Sequence, residues 1–163
     1  MLNRELLTKV DFTKPWAWLA TWFGCGLALP APGTWGTIGG IPFAVFLMLA
    51  GGWKYLLIWV IAVFLVGWWA ADKFEKATGE HDASAIVIDE VAGIGLTLLF
   101  ATPEIKSVTI AFLLFRFFDI LKPWPVSWCD KKIGGGLGVM VDDLAAAVYA
   151  ALCLWGLRHA GIG

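Results

Sequence analysis

The stretch FRFFDILKPWPVSWCDKK, residues 115–132, concentrates charged side chains in a chain that is otherwise strongly apolar. Aromatic residues alternate with these charges, a pattern typical of the boundary between a membrane and water. Two more acidic stretches, IVIDE (86–90) and GVMVDD (138–143), also put carboxylates at the edge of an apolar segment. We expect the three stretches to converge on one site at a membrane surface.

Composition indicates a membrane protein. Hydrophobic residues make up 60% of the 163-residue chain, charged residues only 15%, and the mean hydropathy is +0.77. Soluble domains are usually about 45–50% apolar and about 25% charged. The chain is therefore predicted to be a single, all-α integral membrane domain covering residues 1–163. The formal net charge of −1 argues against nucleic-acid binding.

Apolar runs separated by glycine, proline and charges predict a helical bundle with about four to five short membrane spans. An amphipathic, interfacial helix is expected before them, at residues 2–11. The Gly-rich segment GGGLG (134–138) is predicted to be a flexible connector. The predicted helices cover residues 15–23 (half-buried), 35–51, 53–71, 84–101, 104–121 and 139–158.

The distribution of basic residues predicts the orientation. With a cytoplasmic N-terminus and five spans, most lysines and arginines fall on the inner side, as the positive-inside tendency requires. The three acidic stretches then fall on that same side. We therefore expect a multi-pass protein of a bacterial inner membrane, with its active site facing the cytoplasm.

Four acidic residues are candidate metal ligands. Asp89 and Glu90 interrupt an apolar helix, where ionisable residues are costly and usually functional. The alternative is a salt bridge from this pair to Arg116 or to a lysine. Asp142 and Asp143 are predicted at the start of the last helix, where the helix macrodipole alone could explain them. However, one capping acid would suffice, and the two side chains point about 100° apart.

Charges on the fourth predicted span suggest phosphate chemistry. Arg116, Asp119 and Lys122 are spaced three residues apart and lie on one helical face. The simpler explanation is an intrahelical ion pair, with the Lys122 side chain extending to the membrane surface. The alternative is an acid for metal or proton transfer, flanked by cations that bind phosphate. Asp130 is followed by two lysines, and a solvated run of charges would explain it nearly as well.

The loop GCGLALPAPGTWGT (24–37) contains many glycines and prolines and precedes a helix. Thr34 or Thr37 could cap that helix, and backbone N–H groups at such an end can bind an anion. An ordinary turn is the alternative. His81 and Asp82, in the loop before IVIDE, give only a weak signal.

The donor set favours a hard cation. Carboxylates dominate the candidate site while histidine and cysteine are scarce, which selects Mg²⁺ or Mn²⁺ over zinc. Acids that hold Mg²⁺, with cations and a helix N-terminus nearby, suit a phosphate ester. An interfacial location suits a lipid phosphate.

The motifs also carry a family resemblance. The chain contains GxGLxxxAPGTWGT, IVIDExxG, FRxFDxxKPWP and GGxGVMxDDxxA in that order, with Asp130 between the last two. This series resembles the phosphatidylglycerophosphatase A family over about residues 15–150. The resemblance implies a Mg²⁺-dependent inner-membrane phosphatase that converts phosphatidylglycerophosphate to phosphatidylglycerol, with a site facing the cytoplasm.

The resulting hypothesis gives each candidate residue a role. Asp119 or Asp130 would orient or deprotonate the attacking water, and a covalent aspartyl-phosphate route remains open. The Mg²⁺ ligands would be Asp89, Glu90, Asp142 and Asp143. The phosphomonoester would be bound by Arg116, Lys122, Thr34 and Thr37.

Three other functions are compatible with parts of the pattern. A CDP-alcohol phosphotransferase also uses acids and Mg²⁺, but its DGxxAR motif is absent because LAAA follows Asp142-Asp143. A small transporter could use Asp89 and Asp119 as a proton-relay pair. A structural membrane subunit would need the acids only for assembly.

Overall fold

The computed structural model describes residues 9–161, and these residues form helices joined by short loops. No β-strand occurs within that range, which confirms the predicted all-α class. The amphipathic helix expected at residues 2–11 falls mostly outside the described residues. In chain order the elements are α1 (Pro15–Ala20), a 3₁₀ turn (Cys25–Leu27), α2 (Pro32–Gly51), α3 (Trp53–Thr78), α4 (Ile88–Leu98), α5 (Ile105–Leu121), α6 (Val126–Lys132) and α7 (Gly135–His159).

Helices α2 and α3 form a long apolar pair. Gly52 separates them with φ +68°, a left-handed conformation that glycine adopts without steric cost. The charged residues expected to end α3 near residue 71 are instead part of the helix, which continues to Thr78. Lys76 Nζ lies 2.6 Å from Asp72 Oδ2, one helical turn away, and such pairs support a helix.

Helix α4 is shorter than the predicted helix at 84–101. It has 11 residues and is therefore about 16 Å long, too short to cross a hydrocarbon core of about 30 Å by itself. The helix is largely buried and packs against α2, α3 and α7. The chain just before it is anchored by a hydrogen bond from the Val87 backbone N–H to the Ala20 carbonyl, at 2.9 Å. Helix α4 is therefore an internal element surrounded by longer helices.

Helix α7 begins at Gly135, so the prediction of a flexible connector at 134–138 was wrong. The physical reason is packing: a Cβ atom on Gly136 would lie 2.4 Å from the Asp72 backbone nitrogen of α3. Tertiary contact thus overrides the low helix propensity of glycine. The early start also corrects the position of Asp142 and Asp143, which lie about two turns inside α7. The macrodipole explanation for these acids therefore does not apply.

Within residues 9–161, two stretches are long and apolar enough to cross a bilayer. They are Pro32–Thr78, which comprises α2 and α3, and Gly135–His159, which is α7. Length and composition alone support this assignment.

The functional candidates lie at one end of the bundle. Five parts of the chain meet there: the first turns of α2 and α4, the last turn of α5, the 79–87 loop after α3 and the N-terminal part of α7. Away from this end, fully buried side chains such as Phe115 and Leu154 fill the space between helices. The fold therefore holds the candidate residues on several independently packed helices.

Replacing Gly136 by alanine should destabilise the protein by about 1–3 kcal/mol, because the new methyl group meets α3 backbone. Gly156→Ala is the matched control, since Gly156 lies in the same helix and an added Cβ meets nothing within 4 Å. Thermal unfolding of the purified variants in detergent measures the difference. Equal stability of the two variants would contradict the proposed close packing of α3 and α7.

Candidate active site

A cavity of about 320 Å³ lies where the helix ends meet. Asp130 instead lines a smaller adjoining cavity of about 180 Å³, together with His81. Thr34 and Thr37 are not part of either wall. Seven of the sequence-predicted residues line the larger cavity: Asp89, Glu90, Arg116, Asp119, Lys122, Asp142 and Asp143.

Three carboxylates form the centre of the cavity. One oxygen each from Asp89, Glu90 and Asp143 lies within 4.8 Å of the others. Asp89 and Asp143 are only 6% and 4% exposed. Each of the three side chains also has a buried oxygen without a hydrogen-bond partner among the described residues. Buried, unpaired carboxylate oxygens are costly, and a divalent cation with oxygen ligands would remove that cost.

The start of α2 closes one side of this carboxylate group. Gly33 is so close to α4 that a Cβ atom there would lie 2.0 Å from Glu90 Oε1. Any larger residue would push Glu90 or α2 away. Glycine at this position therefore lets the backbone of the Pro/Gly-rich loop approach the acids directly.

Arg116 connects α5 to α2 and α4. Its Nη1 atom lies 2.7 Å from Asp119 Oδ2 on the same helix and 3.7 Å from Glu90 Oε1. Nη1 also donates a 3.4 Å hydrogen bond to Thr37 Oγ1. The Nε atom is buried and has no hydrogen-bond partner among residues 9–161. The intrahelical ion pair considered from the sequence thus exists, but Arg116 also reaches two other helices.

Thr37 supports Arg116 rather than facing the cavity. Its hydroxyl is buried and donates a 2.8 Å hydrogen bond to the Gly33 carbonyl. The residue at the N-cap of α2 is Ala31, and among residues 9–161 no side chain caps this helix. The expectation that Thr34 or Thr37 would act as the helix cap was therefore wrong.

Asp119 lines the same cavity as the three central acids. Its carboxylate forms an ion pair with Arg116, whose guanidinium also reaches Glu90. Asp119 therefore holds a cation beside the central acids. Among the two acids predicted to activate water, it is the one that lines the larger cavity.

Lys122 lies just after α5 and bridges two acids. Its left-handed backbone, with φ +44°, turns the chain away from the helix. Its Nζ atom donates hydrogen bonds to Asp130 Oδ1 at 2.5 Å and to Asp142 Oδ2 at 2.7 Å. Burial alone would lower the pKa of Lys122, but these two hydrogen bonds raise it above its ordinary value. The lysine is therefore a permanent cation beside the cavity.

Asp82, which gave only a weak signal in the sequence, lies at the site. Its backbone is left-handed, with φ +49°, and its carboxyl group lines the cavity. The Asp82 N–H donates a 2.7 Å hydrogen bond to Glu75 Oε1, and His81 Nδ1 lies 2.5 Å from the same oxygen. Burial raises the pKa of Asp82, while Lys122 opposes this shift. The available signal was an aspartate, which tolerates left-handed turns, four residues before the start of the IVIDE stretch.

The fold and the site together define a class. It is an apolar, all-helical protein whose helix ends enclose buried carboxylates beside an arginine and a lysine that are both held by ion pairs. Such a donor set suits a divalent cation and a phosphate group.

Comparison with known proteins identifies the family. The family model for phosphatidylglycerophosphatase A matches residues 18–158, and the chain belongs to this family. Phosphatidylglycerophosphatase A of Haemophilus influenzae is 39% identical over 161 residues, covering 98% of each chain. Phosphatidylglycerophosphatase A of Escherichia coli is 35% identical over 153 residues, covering 93% of this chain and 88% of the relative. The family predicted from the sequence motifs is thus confirmed.

A third relative carries a different name. A Bacteroides thetaiotaomicron protein, provisionally named a phosphatidylinositol-3-phosphatase, is 38% identical over 147 residues, covering 83% of this chain and 89% of its own. No solved structure is significantly similar to this chain.

A double-mutant cycle with Lys122→Met and Asp142→Asn should show a coupling free energy of about 1–3 kcal/mol, because Lys122→Met leaves the buried Asp142 carboxylate without its cation, while Asp142→Asn removes one of the two carboxylates that hold Lys122. The exposed pair Lys76–Asp72 is the control, since its ion pair is equally short but faces solvent. Its coupling should stay below about 0.5 kcal/mol. Unfolding in detergent gives all the values, and similar couplings for the two pairs would argue against a buried role for Lys122.

Proposed function

We propose that this chain is a Mg²⁺-dependent phosphatase that hydrolyses phosphatidylglycerophosphate to phosphatidylglycerol and phosphate. The observation that carries the proposal is the group of three carboxylates on α4 and α7 with buried, unpaired oxygens. The names of the Haemophilus and Escherichia relatives supply the substrate. A phosphomonoester is the ligand that the neighbouring cations would favour.

Asp89, Glu90 and Asp143 fit the oxygen-rich coordination that Mg²⁺ requires. Asp142 is a fourth candidate, because its Oδ1 is buried without a hydrogen-bond partner in the described part of the chain while Oδ2 accepts from Lys122. When bound, Mg²⁺ would neutralise charge on the phosphoryl oxygens. The four residues come from two helices that pack directly on each other, which would keep their geometry fixed.

Cations on the other side of the cavity would bind the phosphoryl group. Arg116 presents a planar guanidinium that suits a bidentate interaction with phosphate, and Thr37 holds its orientation. Lys122 adds a second positive charge. Thr34 does not line the cavity, and its backbone N–H already donates to the Ala31 carbonyl. The backbone N–H of Gly33, in the first turn of α2 beside the acids, would contribute instead.

Asp119 is the proposed residue that orients the attacking water. Its position in the cavity wall, paired with Arg116, puts a carboxylate next to the proposed phosphate position. Asp130, held by Lys122 in the adjoining cavity, would instead position that lysine. Asp119 is engaged in an ion pair with Arg116, and the central acids are assigned to the cation. We therefore favour direct attack by water over a phosphorylated aspartate.

The site would face the cytoplasm from a multi-pass protein of the bacterial inner membrane. In this proposal α2, α3, α5 and α7 cross the bilayer, with α4 enclosed between them. The proposed spans α2, α3 and α5 carry many exposed large apolar side chains, including Phe46, Ile58 and Leu113. A protein surface of this kind suits a lipid environment.

A second substrate is supported by one observation. The Bacteroides relative is named for a phosphate on an inositol lipid. The same cavity could therefore serve other phosphomonoester lipids. Competition between lipid substrates in one assay separates these alternatives.

Purified protein should release phosphate from phosphatidylglycerophosphate with Mg²⁺ and not after chelation. Asp89→Asn and Asp143→Asn should each lower kcat by about 10²-fold or more, because each removes a charged ligand at the reacting centre. Asp72→Asn is the control, since this acid is paired with Lys76 on α3 and does not line the cavity. Full activity of either active-site variant would remove that residue from the mechanism.

Acid quenching during turnover of substrate labelled in its terminal phosphate should leave no label on the protein, because water attacks directly. The same experiment on Asp119→Asn should show slow turnover and again no label. A labelled aspartate would establish the covalent route instead.

A further inference from the structure

An apolar groove runs along the outer surface of α5, beside the cavity. It encloses about 370 Å³ and is lined by Leu113, Arg116, Phe117, Ile120 and Leu121. This spacing of three and four residues places the five side chains on one face of the helix. The four apolar side chains are between 56% and 74% exposed. The rest of the described chain therefore does not cover this face of α5.

Arg116 belongs to both the groove and the active-site cavity. Its guanidinium reaches inward to Asp119, Glu90 and Thr37. The apolar stem of an arginine can pack along hydrophobic surface while its charged end stays in a polar site. Arg116 therefore lines both spaces: its charged guanidinium faces the cavity, and its apolar stem faces the groove.

We infer that the groove holds one acyl chain of the phosphomonoester lipid whose phosphate enters the cavity. This inference rests on the proposed function and adds a binding surface for the non-reacting part of the substrate. The groove extends about 12 Å along α5 from Leu113 to Leu121, a length that suits a segment of an acyl chain. Arg116 would contact the lipid at the junction of its charged and apolar parts.

The groove differs from the other exposed apolar surface because it adjoins the cavity. Ile58 on α3 is 66% exposed, comparable to Ile120 at 74%. Ile58, however, lines neither the groove nor the cavity. Ordinary bilayer contact would affect both isoleucines alike, whereas substrate binding would involve only Ile120.

Kinetics with two substrates test the inference on the full-length protein in mixed micelles. Ile120→Trp, which fills the groove, should raise KM for a long-chain phosphatidylglycerophosphate by about fivefold or more. Its kcat/KM for a water-soluble short-chain analogue should stay within about twofold of wild type. Ile58→Trp should change neither value. An equal loss on both substrates, or no change on the long-chain lipid, would overturn the inference.

Photo-crosslinking tests the groove without turnover, so that failure of the phosphatase proposal and failure of the groove are distinguishable. The probes are a phosphomonoester lipid and a phosphatidylcholine that carry the same photoreactive acyl chain. The phosphomonoester probe should label residues 113–121 several-fold more than the phosphatidylcholine probe, and Ile120→Trp should remove the excess. Equal labelling by both probes would show ordinary bilayer contact and overturn the inference.

Discussion

The structure depends on one constraint: its buried carboxylates have fewer hydrogen-bond partners among the described residues than they need. Asp89, Glu90 and Asp143 converge from two helices in an otherwise apolar bundle, and each has a buried oxygen that no described residue pairs with. A protein that only needed stability would replace such groups by apolar residues. Their presence is explained if a cation completes the arrangement. The neighbouring Arg116 and Lys122 are held in ion pairs beside these acids, where they can meet an anionic ligand.

Backbone strain is concentrated around the same cavity. Among the described residues, five non-glycine residues have positive φ angles, and three of them, Ala31, Asp82 and Lys122, line the cavity. Such conformations are costly and persist where the surrounding structure holds them in place. Here Glu75 holds the Asp82 loop, while Asp130 and Asp142 hold Lys122. The strained turns bring side chains from separate loops to the central carboxylates.

Much of this arrangement could be predicted from the sequence, because charges in an apolar chain are conspicuous. The acids of α4 and α7 and the cations near the end of α5 were found in this way, and the family followed from the order of the motifs. The glycines at residues 134–138 predict a flexible connector, but close packing on α3 makes a helix from residues with low helix propensity. Asp82 gave only a weak signal because its role comes from a left-handed turn and from a backbone hydrogen bond to Glu75, seven residues earlier in the chain. The sequence pattern does not predict that contact.

Binding of Mn²⁺ to purified, substrate-free protein tests the central claim most directly, because Mn²⁺ accepts the same oxygen ligands as Mg²⁺ and is visible by electron paramagnetic resonance. The account predicts saturable binding that competes with Mg²⁺, is lost in Glu90→Gln and Asp143→Asn, and is unchanged in Glu104→Gln, a control outside the cavity. Absence of saturable binding by the wild-type protein, or equal binding by all variants, would contradict the claim that these carboxylates share a divalent cation.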